Sequence, residues 1–140
     1  MKQAPYIRTK TYELDHIFGL MRTNVERVVL DGTPNTVNLN SLRLKCFMTK
    51  GVQCVACNLK GVFFAAEVAN HKNYTPIFHL NLYALTKDAK EVLMTKDHII
   101  PRSKKGQDSL DNLQTMCCHC NVTKGNKILS EKSPNLVMLG

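Results

Sequence analysis

The sequence predicts a small α+β domain that is stapled by a zinc ion. At 140 residues the chain has the size of one domain. Its apolar residues recur at a helical spacing in some segments and alternate strictly in others, so both helices and strands are expected. Two Cys-x-x-Cys pairs, Cys54 with Cys57 and Cys117 with Cys120, supply the four thiolates of a structural zinc site.

Residues 1–40 are predicted to form an N-terminal extension made of a helix and a hairpin. Within residues 11–22, apolar side chains recur at helical spacing, namely Leu14, Ile17, Phe18 and Met21. A hairpin is expected over residues 25–39, because Asp31-Gly32 between two apolar runs is a strong turn signal. At the other end of the chain, residues 131–140 are expected to be a tail.

Residues 41–130 are predicted to form the main domain, which begins with a helix over residues 42–50. Gly51 is well placed to end this helix. Three of its side chains are expected to face inward: Leu42, Cys46 and Phe47. A strand is expected over residues 62–68 and a short second helix over residues 121–129.

A hairpin is predicted over residues 78–99. Apolar residues alternate cleanly through residues 78–85, which is typical of a half-buried strand. If the hairpin is symmetric about residues 88 and 89, the numbers of paired residues sum to 177. That register places His79 opposite His98.

The zinc site departs from compact zinc ribbons in its spacing. Cys57 and Cys117 lie 60 residues apart, whereas compact sites leave about 15–20 residues between their pairs. A strand, a loop and a hairpin must therefore lie between the two halves. Cys118 as a ligand, His119 in place of a thiolate and a redox-active pair are the alternatives, and Cys46 fits ordinary packing.

Composition favours a polyanionic partner. The chain carries 19 Lys and Arg against 11 Asp and Glu, a net charge of +8, with an isoelectric point near 9.3. No secretory signal peptide and no membrane span are predicted, because no apolar run is long enough. Six cysteines without an export signal favour metal ligation in a reducing cytoplasm over a disulfide framework.

Polar residues around Asp97-His98 are of the kinds that phosphodiester hydrolysis needs. Imidazole suits proton abstraction from water near neutral pH, which is the role predicted for His98. Asp97 and Asn121 offer the hard oxygen donors that Mg²⁺ accepts. Adjacent strand residues point to opposite faces, so Asp97 and His98 can serve one site only where the strand ends, as Pro101 indicates. Asn112 can brace the backbone around His98.

These segments together resemble the HNH nuclease motif, in the zinc-stapled branch found in phage, mobile-element and restriction endonucleases. The resemblance covers residues 41–129, and residues 63–76 look like an insertion between the zinc half-sites. Three separated segments carry it, in order: Asp97-His98-Ile99-Ile100-Pro101, Asp111-Asn112-Leu113 and Cys117-Cys118-His119-Cys120-Asn121-Val122-Thr123-Lys124-Gly125-Asn126.

The resemblance implies a ββα-metal core, in which the hairpin of residues 78–99 and the helix after Asn121 hold one divalent cation. It implies that His98 is the general base, Asn112 the central structural residue and Asn121 the third motif residue. Asp97 and Asn121 would hold Mg²⁺ or Mn²⁺. Many members have His where this chain has Asn121, so the chain is an H-N-N variant.

DNA is the expected substrate, held through its phosphates by basic residues around the site. Phosphate binding needs positive charge but no particular sequence. The candidates are Arg102, Lys104, Lys105, Lys124 and Lys127. Target specificity would come from loose recognition, a second copy of the chain or a partner protein. If the chain is phage-encoded, it would act in the cytoplasm of the bacterial host.

Two other functions compete with a metal-dependent endonuclease. The main one is a zinc-stapled nucleic-acid-binding module without catalysis, which explains the charge and the cysteines but gives no reason for Asp97-His98 with Asn121. The other is a degenerate HNH fold that serves as a protein-interaction part, which the intact motif disfavours. Cleavage of supercoiled plasmid in the presence of Mg²⁺ or Mn²⁺, and its loss with EDTA, would separate the endonuclease from the other two.

Overall fold

A computed structural model describes residues 6–69 and 77–129 of the chain, and these residues fall into two compact units. The first unit is Met1–Ser41 with Phe63–Leu82, and the second is Leu42–Val62 with Tyr83–Gly140. Residues 63–69, the described part of the predicted insertion, thus group with the N-terminal segment, and residues 70–76 lie outside the described residues. The domain limits at residues 40 and 130 remain a prediction, and the predicted tail lies outside the described residues.

The first unit is built on antiparallel strands, with one helix. Its elements are β1 (Tyr6–Glu13), α1 (Leu14–Arg22), β2 (Arg27–Val29), β3 (Thr36–Asn38), most of β4 (Gly61–Ala69) and the first half of β5 (His79–Leu85). Strand β1 pairs with β4, from Tyr6 opposite Ala69 to Glu13 opposite Phe63. The predicted hairpin is present as β2 and β3.

Strand β1 overturns part of one prediction. The helix expected over residues 11–22 begins only at Leu14, because residues 11–13 belong to β1. The strand was not predicted because most of its residues are polar and its apolar residues do not alternate along it. Within the unit, Phe18 of α1 packs edge-on against Phe64 of β4, with ring centroids 5.5 Å apart.

A buried carboxylate ties the strands of the first unit together. Glu67, 3% exposed, accepts hydrogen bonds from Arg8 Nε and Asn81 Nδ2, both at 2.8 Å. A buried charge is tolerated when it is paired and hydrogen-bonded in this way. Nearer the surface, Lys10 forms an ion pair with Asp31.

The second unit holds the remaining elements: α2 (Leu42–Lys50), the end of β5, β6 (Glu91–His98), β7 (Leu113–Cys117) and α3 (Cys118–Lys124). Helix α2 has the predicted bounds. It ends at Gly51, whose φ of 101° favours glycine and whose N–H donates to Phe47 O at 3.1 Å. Cys46 and Phe47 are buried as predicted, and Leu44 is buried with them.

The predicted hairpin register is wrong by one residue. Tyr83 pairs with Leu93 and Leu85 with Glu91, so paired numbers sum to 176 and His79 does not lie opposite His98. The five-residue loop between Leu85 and Glu91 is centred on one residue rather than two, because Ala89 adopts a left-handed φ of 64°.

Strand β7 and helix α3 complete a ββα core, which confirms the predicted α+β fold class. The two strands that pack with α3 are β6 and β7, which pair from Met94 opposite Cys117 to His98 opposite Leu113. The resemblance implied the hairpin of residues 78–99 instead, and this was wrong in its first strand, because β7 takes that place beside α3. Helix α3 begins at Cys118 rather than Asn121, and it ends at Lys124 rather than near residue 129. In the described residues, no helix is long and apolar enough to cross a membrane.

Candidate active site

Four cysteine side chains converge in the second unit. The sulfur atoms of Cys54, Cys57, Cys117 and Cys120 all lie within 4.8 Å of one another. Cys57 Sγ and Cys117 Sγ are 3.9 Å apart, too far for a disulfide and close to the roughly 3.8 Å edge of a tetrahedron with Zn–S bonds of about 2.3 Å. The donor set and its spacing therefore fit one zinc ion.

The electrostatics of the cluster also favour a cation. Burial, together with the sulfurs of Cys117 and Cys57, raises the pKa of Cys120 well above its ordinary value, and burial likewise raises that of Cys57. For Cys54 burial acts in the same direction, but backbone N–H donors outweigh it and leave the pKa below its ordinary value. Four such sulfurs can be thiolates together only around a positive ion.

Backbone hydrogen bonds hold the two halves of the cluster in place. Cys54 N donates to Leu59 O at 2.8 Å, which closes the first turn, and Val55 N donates to Thr115 O of β7 at 3.0 Å. Cys120 N points at Cys117 Sγ at 3.4 Å, at the start of α3. Cys118 and Cys46 lie outside the cluster of four ligands.

Asp97 lies near the end of β6, under α3, with a nearly buried side chain. Its Oδ2 accepts from Gln114 Nε2 at 3.0 Å, across the strand pair, and lies 3.1 Å from Lys124 Nζ. Its Oδ1 makes no hydrogen bond within the described residues. No fully buried side-chain oxygen or nitrogen in these residues lacks a partner, so Oδ1 is at least partly accessible to solvent.

Lys124 does not fit the phosphate-binding role predicted for it. Its side chain is 1% exposed, and besides Asp97 its Nζ contacts His98 O at 3.0 Å. The helical spacing of α3 turns Lys124 inward on the same side as Asn121, three residues earlier. Lys124 therefore joins the helix to the end of β6 and cannot contact DNA from this position.

Asn121 contacts the same strand as Asp97. Asn121 Nδ2 donates to Thr95 Oγ1 at 2.8 Å, and Thr95 lies two residues before Asp97, on the same face of β6. Asn121 Oδ1 makes no hydrogen bond within residues 6–69 and 77–129, and it is at least partly accessible to solvent for the reason given for Asp97 Oδ1. The structure thus brings two open side-chain oxygens to one strand face.

His98 is the last residue of β6, and its side chain contacts the loop that follows the strand. Its Nε2 lies 2.9 Å from Asp108 Oδ1, and Asp108 also lies 3.9 Å from Lys96 Nζ. His98 Nδ1 makes no hydrogen bond within the described residues, and the side chain is 20% exposed. The hydrogen bond from His98 lowers the pKa of Asp108, and the positive charges of Lys96 and Arg102 lower it further.

Asn112 braces the loop between β6 and β7 on both sides. Its Oδ1 accepts from Ile100 N at 2.9 Å, and its Nδ2 donates to Ile100 O at 3.0 Å and to Gln107 O at 2.8 Å. Gly106 is required at the same place, because a Cβ there would lie 1.6 Å from Ile100 O. This is the bracing geometry that the sequence led us to expect of Asn112.

The other basic candidates lie at the surface. Arg102 and Lys104 belong to a single 3-10 turn that follows the site, and Lys105 continues from it with a φ of 69°. These three side chains and Lys127 are exposed. They are accessible to a polyanion, in contrast to Lys124.

Three contacting residues were missed from the sequence: Asp108, Gln114 and Thr95. Gln114 and Thr95 could be found only with the pairing of β6 and β7, and β7 was not predicted. Asp108 had a weak signal, as an acidic residue ten positions after His98 in a glycine-containing loop. Loop closure brings the two together, and spacing alone does not reveal it.

The site is therefore part of a ββα domain. Its first strand ends at a histidine, and a four-cysteine cluster that fits a zinc ion lies beside its helix. Residues 85–127 match the family model described as HNH endonuclease. At the stringency applied, no curated protein and no solved structure matches the chain. An HNH domain indicates nuclease activity or nucleic-acid binding, with DNA as the substrate and a divalent metal as the general requirement of the family.

Proposed function

We propose that the chain is a metal-dependent endonuclease that hydrolyses phosphodiester bonds in DNA. The observation that carries the proposal is the end of β6, where a histidine with an open ring nitrogen follows an aspartate with an open oxygen. Asn121 Oδ1 adds a second open oxygen on the aspartate's side of the strand. Exposed lysine and arginine side chains follow directly in the chain.

The residues of the site divide the chemistry among them. His98 Nδ1 takes a proton from a water molecule, and the water oxygen forms a bond to phosphorus. One bridging P–O bond breaks, and the leaving oxygen takes its electron pair and is protonated from solvent. Arg102, Lys104, Lys105 and Lys127 hold the flanking phosphates.

Asp97 and Asn121 are the residues that would hold Mg²⁺ or Mn²⁺, through oxygen donors of the type these ions prefer. The bound cation would supply Lewis-acid stabilisation of charge on the phosphate and leaving oxygens. Lys124 and Gln114 fix Asp97 Oδ2, which leaves Oδ1 as the oxygen available for the ion.

A non-catalytic nucleic-acid-binding module is the second candidate, and one observation favours it. Both proposed cation ligands already have an atom engaged, Asp97 by Lys124 and Gln114 and Asn121 by Thr95. Such a module would bind DNA with the same basic residues and would not need His98.

Plasmid cleavage separates the two candidates. Zinc-loaded protein is incubated with supercoiled plasmid, with Mg²⁺ or Mn²⁺ added or omitted. His98→Ala should keep its zinc and its DNA affinity but lose cleavage by at least the roughly 10²–10⁴-fold that general-base catalysis contributes. His16→Ala, at an exposed position in the first unit, is the matched control and should cut normally. Cleavage by His98→Ala at the wild-type rate would leave the binding module as the better account.

Two further variants address the cation. Asp97→Asn keeps a side chain that can bond Gln114 but weakens the hold on Mg²⁺, so high metal concentrations should partly restore cleavage. Asn121→His introduces imidazole, a competent ligand for Mn²⁺ and softer ions, so activity should persist with a changed metal preference.

A further inference from the structure

The contact between His98 and Asp108 fixes which ring nitrogen of His98 carries hydrogen. An ionised carboxylate only accepts hydrogen bonds, so at 2.9 Å from Asp108 Oδ1 the Nε2 atom of His98 must be the donor. In the neutral ring the other nitrogen, Nδ1, then keeps its lone pair. Nδ1 makes no hydrogen bond within the described residues, so the nitrogen left to accept a proton is not occupied by another contact.

Backbone hydrogen bonds in the loop between β6 and β7 hold Asp108 close to His98. Gly106 N donates to Pro101 O at 2.9 Å, and the missing side chain of Gly106 lets the loop close onto Ile100. Asn112 bonds the backbone of Ile100 and of Gln107, the neighbour of Asp108. The carboxylate thus approaches the histidine on a backbone held from both ends.

The surroundings of Asp108 keep it in the acceptor form. Lys96 Nζ lies 3.9 Å away on the same face of β6 as His98, and Arg102 contributes a second positive charge. These neighbours favour the carboxylate over the neutral acid. Asp108 is exposed and does not pack in the hydrophobic core, so core packing does not account for its contact with His98.

We propose that Asp108 is a positioning residue, which holds His98 in the tautomer with hydrogen on Nε2 and directs Nδ1 towards the water to be deprotonated. The proposal rests on the endonuclease function above, because it assigns the atom through which His98 would act. The proton moves from water to Nδ1, and Asp108 takes no proton in the step.

The first test reads the tautomer directly and needs no activity. Long-range ¹H–¹⁵N spectra of the zinc-loaded protein, without Mg²⁺ or DNA, distinguish the two ring nitrogens, and a His98→Ala sample assigns the signals. We expect hydrogen on Nε2 in the wild-type protein and a mixture of tautomers in Asp108→Asn, because an amide can donate as well as accept. Asp108→Glu should restore the wild-type pattern.

Asp111→Asn is the matched control. Asp111 is an exposed acid in the same loop, and its loss changes the net charge by the same amount. Asp108→Asn should lower kcat by roughly 10–100-fold, the usual cost of removing a partner that orients a functional ligand. Both variants should lower KM for DNA alike, since each removes a negative charge beside basic residues, but Asp111→Asn should keep its kcat.

The outcomes separate this inference from the proposed function. An unchanged tautomer in Asp108→Asn overturns the positioning role, even if the wild-type protein cuts DNA. An equal fall in kcat for Asp111→Asn overturns it too, because the effect would then be one of charge. If the wild-type protein does not cut DNA but the tautomer changes in Asp108→Asn alone, the positioning of His98 stands and the endonuclease function fails.

Discussion

The two units differ in where charge is kept and in what balances it. The first unit has 6 basic and 5 acidic residues, a net charge of +1, whereas the second has 13 and 6, a net charge of +7. The first holds its buried carboxylate, Glu67, with a partly exposed arginine and an amide. The second buries a lysine against an aspartate and gathers four thiols as well. The excess positive charge, the metal ligands and the HNH match thus coincide in one part of the chain.

Zinc removal should have the largest effect and should act unequally on the two units. Structural zinc contributes about 10–16 kcal/mol in small domains, comparable to the whole stability of about 5–15 kcal/mol of a typical protein. Cys54→Ser should therefore lose zinc and unfold the second unit, with elemental analysis and amide hydrogen exchange as the measurements. Cys118→Ser, at the half-buried cysteine outside the cluster, should keep one zinc per chain.

Hydrogen exchange also tests whether the units are separate in stability. We expect residues 42–62 and 83–129 of Cys54→Ser to lose protection more than residues 6–41. Equal loss throughout would show that the chain unfolds cooperatively as one body, and the comparison would fail. Wild-type protein that is well folded but contains no zinc would contradict the prediction that the four cysteines bind the metal.

Breaking the buried ion pair between Lys124 and Asp97 should have the second-largest effect, on the free energy of unfolding. Lys124→Met leaves Asp97 as an uncompensated buried charge, which typically costs about 3–5 kcal/mol. Lys127→Met, at an exposed lysine just beyond the same helix, should change the free energy of unfolding by no more than about 0.5 kcal/mol. Urea denaturation of the zinc-loaded variants measures both, and a similar small cost for the two lysines would contradict the assignment of Lys124 to the interior.

The ion pair between Arg8 and Glu67 in the first unit provides a comparison for the cost of losing Lys124. Arg8→Met should cost less than Lys124→Met, because the side chain of Arg8 is 31% exposed whereas that of Lys124 is 1% exposed. A larger cost for Arg8→Met would mean that Glu67 depends on its cationic partner more strongly than Asp97 does.

The smallest effect concerns DNA affinity. Replacing Lys104 and Lys105 with Ala should flatten the salt dependence of DNA binding by about 0.9 units of slope for each lost phosphate contact. Replacing Arg22 and Arg27, both exposed in the first unit, removes the same charge and should leave the slope unchanged. Fluorescence anisotropy over a salt series measures both. Equal slopes for the two double variants would show that the basic residues of both units contribute equally to phosphate binding.

The sequence was sufficient where a short spacing encodes the geometry. The pairs Cys54 with Cys57 and Cys117 with Cys120 predicted the four-sulfur cluster, and the bounds of α2 followed from periodicity and Gly51. The same reasoning failed where long-range pairing decides. Lys124 looked like a surface charge because its partner, Asp97, lies far earlier in the chain, on a strand.

Register and loop closure were likewise out of reach. The predicted register of the hairpin was wrong by one residue, because Ala89 adopts a left-handed φ that changes the loop. Alanine gives no sequence signal for that conformation. The contact of Asp108 with His98 depends on a ten-residue loop closing on Gly106 and Asn112. The catalytic, cation-binding and DNA-contacting assignments of the other candidates remain predictions for the experiments above.

The wide separation of the two zinc half-sites has a consequence for how such a chain can change over evolutionary time. Once the sulfurs of Cys57 and Cys117 share an ion, the chain between these two residues, which are 60 positions apart, forms a loop closed at both ends. The entropy of closing a loop rises only with the logarithm of its length, so doubling this interval would cost about 0.6 kcal/mol. The segment Phe63–Leu82 lies inside that loop. Its length can therefore change at little cost in loop-closure entropy to the zinc half-sites that flank it in the chain.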